Sequence, residues 1–407
     1  MDKNLLEEVA KRNQNIMENE YMRSLRIDIK DWVKSTSFNE FYGEISKRVI
    51  GQESLKIVLA NVYNYLASKV FAGNNMILTA PSGCGKTETY RAIKDYFATE
   101  IPNLPVFMYD VTNITPAAYR GSKVADILKP FVRAGMHTPI GLIFLDEFDK
   151  KVIPQKSNDS DDFSYTTQST LLSLIDGGTI DCDGFAINTG NLLFIALGSF
   201  ALFRETKTEE ENRVGFGADY STEHKITKHY EDLKREDLLK AGASHELLGR
   251  FPFIVNYHEL SDSAIEGVID NAVRKACEEF RLASLSLSDK QVDKLKESAN
   301  SEFGCRLIEA KVKDMVLEAY ASAITEVTGH EYTKMGLNIA INDDDTVNAD
   351  WVVLKECEKV DNFVDNEYNA HKDRVRTYNL NKEELELNKD IEDTFKLWDD
   401  NFSQQHL

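Results

Sequence analysis

A lysine and a threonine close the octet Ala80-Pro81-Ser82-Gly83-Cys84-Gly85-Lys86-Thr87. The octet follows a short apolar run, Met76 to Thr79, and leads into a helix-like stretch, "KTETYRAIKDYFATE". Gly83 and Gly85 free the backbone to wrap tightly, so that successive N–H groups and a helix N-terminus can face an anion. Lys86 adds a cation for phosphate oxygens, and Thr87 a hydroxyl for Mg2+. The pattern is a phosphate-binding P-loop with Ala80 in place of its first glycine. A Gly-Lys-Thr turn at a helix start also arises by chance, so a second element is required.

That element is "GLIFLDEFDK", an apolar strand ending in Asp146 and Glu147. Asp146 is suited to hold Mg2+ through water, and Glu147 to orient or deprotonate an attacking water. Two acids at a strand end are by themselves an ordinary cap. Downstream of a P-loop they point to nucleotide hydrolysis, with ATP and Mg2+ as the expected cofactors. The five cysteines, Cys84, Cys182, Cys277, Cys305 and Cys357, form no C-x-x-C pair, and the eight histidines form no H-E-x-x-H. Zinc modules and disulfide frameworks are therefore not expected, and the metal should arrive with the nucleotide.

The elements that must position these groups read as α/β. Apolar runs "NMILTA", "VFMYDV", "GLIFLDEFD" and "NLLFIALGSF" alternate with helix-like segments, which predicts a mostly parallel, doubly wound sheet. Residues 1–46 read as a polar helical segment and 47–258 as the α/β domain. Residues 259–343 read as a smaller, mostly helical domain, with "YTKMGLNIAIND" as a candidate closing strand. Residues 344–407 read as an acidic, partly disordered extension. The stretches 152–168 and 207–228 read as loops.

From these residues outward the chain resembles the AAA+ ATPases, within them the Clp/HslU unfoldase group, and most nearly its ClpX type. "RVIGQESLKIVLANVYNYL" resembles the segment ahead of that group's P-loop, "LDEFDK" its Walker B, and "LLFIALGSF" its sensor-1 strand. "HELLGRFPFIVNYHELS" is similar to its arginine-finger segment, and "FGCRLIEA" to its Gly-Ala-Arg sensor 2, with Cys305 in the Ala place. The resemblance spans roughly 47–340. It implies an AAA+ P-loop module with a parallel-sheet large domain followed by a smaller, mostly helical one. Val49 and Ile50 would line the adenine pocket, and Pro81 through Thr87 with Glu88 would complete the ATP site. Arg250 would be a finger acting on a neighbouring subunit, and Arg306 would be sensor 2. Ser199 is the nearest sensor-1 candidate, since Leu197 stands where a polar group is expected.

The resemblance also implies a homohexameric ring that threads protein substrates. Tyr119 and Arg120, in Ala118-Tyr119-Arg120-Gly121, take the place of its first pore loop; arginine there would favour acidic segments. A second pore loop would include Asp161-Asp162-Phe163-Ser164-Tyr165. Val214-Gly215-Phe216, on a polar arm, matches the aliphatic-Gly-Phe tripeptide by which ClpX-type unfoldases dock on a ClpP-type peptidase. Residues 1–45 hold no cysteine, so the four-cysteine zinc domain of that type is not expected.

With 407 residues, 42% hydrophobic and 29% charged, the composition is that of a globular protein with two or three domains. No apolar run approaches the roughly 18 residues of a membrane span, and no signal-peptide core opens the chain, so a cytoplasmic location is expected. A net charge of −20 counts against non-specific nucleic-acid binding. The alternatives are a remodelling chaperone with the same motor and no peptidase, and, from another class, a P-loop nucleic-acid motor.

Overall fold

The structure is a computed structural model that describes residues 20–68, 71, 74–114, 124–152, 163–182, 184–201, 205–206, 229–280, 282–299, 304–324, 335–344 and 346–353. Its centre is a five-stranded parallel sheet. The strands are β1 (Met76–Thr79), β2 (Val106–Asp110), β3 (Gly141–Asp146), β6 (Leu192–Gly198) and β9 (Phe253–Asn256), in the spatial order β2-β3-β6-β1-β9. Between them in the chain lie two small antiparallel pairs: β4 (Thr179–Cys182) with β5 (Phe185–Asn188), and β7 (Glu205–Thr206) with β8 (His229–Tyr230).

The continuous apolar runs of β3 and β6 are explained by burial on both faces, as a parallel sheet under helices requires. Alternate residues go to opposite cores. Met76, Leu78, Leu142, Phe144, Leu193 and Ile195 join one cluster, whereas Ile77, Ile143, Leu145, Phe194 and Ala196 join the other. Because all five strands run the same way, their carboxyl ends gather on one edge. Thr79 is in register with Gly198 and with Asn256, and Asp110 with Asp146. The helix Lys86–Glu100 leaves that edge from the end of β1.

The N-terminal helices belong to this core. A helix over 20–35 and the helix Phe38–Ser46 bury Leu25, Ile29, Trp32, Phe41 and Ile45 in the same cluster as Phe97 of helix Lys86–Glu100. Ser37 and Glu40 form a reciprocal capping box that starts the second helix. Trp32 lies 5.5 Å from Phe41 and 5.3 Å from Phe97 between ring centroids, and its indole N–H donates to Tyr96 Oη at 3.1 Å.

The helix Phe163–Ile175 begins inside the stretch read as a loop, so part of 152–168 is helical; its serines and threonines masked the helical period. A compact unit of residues 276–287 and 316–407 separates from the rest. Its described part holds a three-stranded sheet, β10 (Leu282–Leu287), β11 (Met335–Ile341) and β12 (Val347–Val353). β11 runs parallel to β10 and antiparallel to β12, and buries Leu337, Ile339 and Ile341. The closing strand expected from "YTKMGLNIAIND" is thus β11, while β12 lies within the stretch assigned to the acidic extension. Among the described residues no helix is long and apolar enough to cross a membrane.

If Trp32 is an integral part of the central core, Trp32→Ala should cost about 3–5 kcal/mol, as large aromatic deletions do. Thermal denaturation should show one transition shifted down by roughly 2–4 °C per kcal/mol. An unchanged transition would mean that the N-terminal helix is an appendage.

Candidate functional site

At the carboxyl edge of the sheet a cavity of about 550 Å³ opens between the P-loop, the end of β3 and two helices. It is lined by Val49, Ile50, Gly83, Cys84, Gly85, Lys86, Thr87 and Glu88, by Asp146 and Glu147, and by Arg306. All of these lie in one compact unit. The volume falls in the roughly 300–1,000 Å³ range of small-molecule sites. The structure therefore brings together the residues that the sequence scattered over four segments.

The P-loop takes its shape from two left-handed glycines, Gly83 at φ +77° and Gly85 at φ +92°. Gly85 caps the helix Lys86–Glu100, so the helix N-terminus faces the cavity. Lys86 is buried, and its ammonium donates to the carbonyls of Ala80 at 2.6 Å and Pro81 at 3.0 Å. Burial is the main influence on it and pulls its pKa from 10.5 down to about 8, against the nearby Cys84, Asp149 and Asp146, which act to raise it. Pro81 and Ser82 shape the loop but do not line the cavity.

At the end of β3, Asp146 Oδ1 accepts the Glu147 N–H at 3.0 Å. Burial raises the Asp146 pKa, and the neighbouring Glu147 adds to the rise. Glu147 is held in the left-handed region at φ +54°, and its carboxylate pairs with Lys150 at 3.1 Å. Thr87 and Asp146 line one cavity, as a shared Mg2+ would require.

Arg306 opens the helix Arg306–Ile324, and the turn before it presses against the P-loop. A Cβ on Gly304 would lie 2.6 Å from the Ser82 carbonyl oxygen, and a Cβ on Gly83 would lie 2.8 Å from the Cys305 nitrogen. Gly304 is also left-handed, at φ +56°. Two glycines thus allow backbone to pack on backbone, which sets Arg306 at the cavity rim. Glu88 pairs with Arg48 at 2.8 Å and lies 3.9 Å from Lys275, so it balances cations at the rim.

Other expected residues lie elsewhere. Arg250 follows the helix His245–Gly249, is half exposed, pairs with Asp176, and does not line the cavity. Ser199 lies just past β6 and donates its hydroxyl to Asp149 Oδ2 at 2.9 Å. Tyr119 and Arg120, and Val214, Gly215 and Phe216, lie outside the described residues, as do Asp161 and Asp162.

Sequence reading missed Gln52. It is buried, its amide donates to Cys84 O at 3.1 Å and His258 O at 2.8 Å, and its oxygen accepts the His258 N–H at 3.1 Å. It ties the P-loop to the segment after β9. Its only signal was a polar residue next to the quoted Val49-Ile50-Gly51 run.

Residues 76–205 match the family model described as "ATPase family associated with various cellular activities (AAA)". The chain is 27% identical over 319 residues to the ATP-dependent Clp protease ATP-binding subunit ClpX of Treponema denticola, covering 69% of this chain and 75% of that protein. It is 30% identical over 239 residues to the proteins of the same name in Borrelia duttonii and Borrelia recurrentis, covering 51% of this chain and 54% of each of them. The chain thus spans about half the length of the two Borrelia proteins.

Gly304→Ala adds both a backbone strain and a clash with the P-loop, and should weaken nucleotide binding by at least about tenfold. Titration with a fluorescent ATP analogue would show it. Phosphates favour the charged ammonium, so binding takes up a proton wherever free Lys86 is neutral. Affinity should hold below about pH 8 and then fall by up to about tenfold per pH unit. In Lys86→Arg, whose guanidinium stays charged, this fall should disappear.

Proposed function

We propose that this chain, which is a ClpX-like AAA+ ATPase, is an ATP-driven protein unfoldase. In this reading six copies form a ring, thread polypeptides through its pore and pass them to a ClpP-type peptidase in the cytoplasm. The observation that carries the ring is the position of Arg250, ion-paired with Asp176 and away from its own cavity. A finger so placed serves a neighbour's nucleotide, and head-to-tail contacts of that kind close into rings.

Within each cavity the left-handed P-loop and Lys86 would hold the phosphates, with Val49 and Ile50 against the base. Thr87 and Asp146 would hold Mg2+, which would supply Lewis-acid chemistry toward the phosphates. Glu147 would orient the attacking water and accept its proton. Arg306 and the neighbour's Arg250 would stabilise the charge that develops on the transferred phosphoryl group. Tyr119 would grip the substrate by bulk, with Arg120 beside it, and Val214-Gly215-Phe216 would dock the peptidase. Several such tethered anchors gain avidity that one lacks.

Glu147→Gln should keep ATP binding and lose at least about a hundredfold in turnover. Mixing it with Arg250→Ala subunits should partly restore hydrolysis, and recovery at no mixing ratio would refute the finger in trans. Phe216→Ala should retain ATPase and unfolding of a tagged reporter while abolishing its degradation with the ClpP ring from the same source. A parent protein that unfolds the reporter and never degrades it would favour the remodelling chaperone.

A further inference from the structure

Asp149 is a buried carboxylate, 7% exposed, whose two oxygens have different surroundings. Oδ2 accepts the Ser199 hydroxyl at 2.9 Å and the Phe200 N–H at 3.0 Å. Oδ1 is enclosed and meets no hydrogen-bond donor among the described residues. Leaving half of a buried carboxylate unpaired is costly, so its retention calls for a reason.

The flanking backbone supplies one. Glu147, two residues earlier, sits at φ +54°, and Phe200 sits at φ +49°. Left-handed side-chain residues persist only where the surroundings over-determine them. Asp149 stands between these two turns and ties one to the other. The Phe148 N–H to Leu197 O bond at 2.9 Å is the backbone half of the same link. The β6 turn in turn meets the P-loop, since the Ala80 N–H donates to Gly198 O at 3.3 Å. Thr79 Oγ1, at the end of β1, donates to Ser199 O at 3.4 Å. Asp149 is thus one of the links, beside the Phe148 backbone bond and the β3–β6 pairing, that set Glu147 relative to the phosphate cradle.

We infer that Asp149 is a positioning residue for ATP hydrolysis, which clamps the Glu147 turn to the β6 turn, and that Ser199 is its hydrogen-bond donor and not a phosphate sensor. Ser199 has a single proton, and that proton is given to Oδ2. Nor does Ser199 line the cavity. The link uses one acceptor oxygen, since among the described residues Oδ1 has no hydrogen-bond partner. This inference rests on Glu147 being the group that handles the water.

The test measures kcat for ATP and, separately, the Kd of a non-hydrolysable ATP analogue. Asp149→Ala should lower kcat by at least about tenfold, as a small misplacement of a catalytic group does, with Kd changed less than about twofold. Asp149→Asn, which keeps an oxygen where Oδ2 lies, should recover to within about threefold of the parent. Ser199→Ala should lower kcat a few-fold and leave Kd alone. Parent-like kcat in Asp149→Ala, or Asp149→Asn as impaired as Asp149→Ala, overturns the inference. So does a Ser199→Ala variant whose Kd rises about tenfold, which would restore Ser199 to the phosphate. Should Asp149→Ala fail to fold, the other two variants decide. Parent-like turnover in Glu147→Gln would remove the premise, and that failure appears in a variant in which Asp149 is untouched.

Discussion

A lysine ammonium buried against the carbonyls of its own loop is the constraint around which this molecule is arranged. Lys86 must stay close to the cavity, and the low dielectric that makes it effective on a phosphate also disfavours its charge. The chain reconciles the two by wrapping Ala80 and Pro81 so that their carbonyl oxygens receive the ammonium. That wrap needs the left-handed Gly83 and Gly85, and it needs β1 fixed between β6 and β9. The rest of the central sheet holds that short segment still.

Opposite shifts at two charged groups follow from the same burial. The Lys86 pKa falls and that of Asp146 rises, each toward its neutral form. A bound metal–nucleotide would bring a charge of the right sign to each of them and reverse both tendencies.

What the sequence disclosed was local. The octet ending in Lys86-Thr87, the acids at the end of β3 and the turn before Arg306 are each contained in a few consecutive residues, and their chemistry can be read from type and spacing. Long-range partnerships could not be read in that way. Gln52 bonds a backbone 206 residues away, and nothing near it in the sequence announces His258. Asp149 reads as one more acid after a strand, and only the fold shows it clasping the β6 turn. The N-terminal helix looked polar because its apolar face, Leu25, Ile29 and Trp32, occupies one narrow stripe whose partner lies in helix Lys86–Glu100. β12 was hidden by its mixed composition, since only its pairing with β11 makes it a strand.

The aromatic contact between Trp32 and Phe97 has a mechanical meaning. Phe97 lies on the helix whose first residue is Lys86, and a helix is stiff along its axis. Trp32 lies on a helix that is continuous back to residue 20. A displacement of that helix is therefore passed through packed rings to the helix that begins at Lys86.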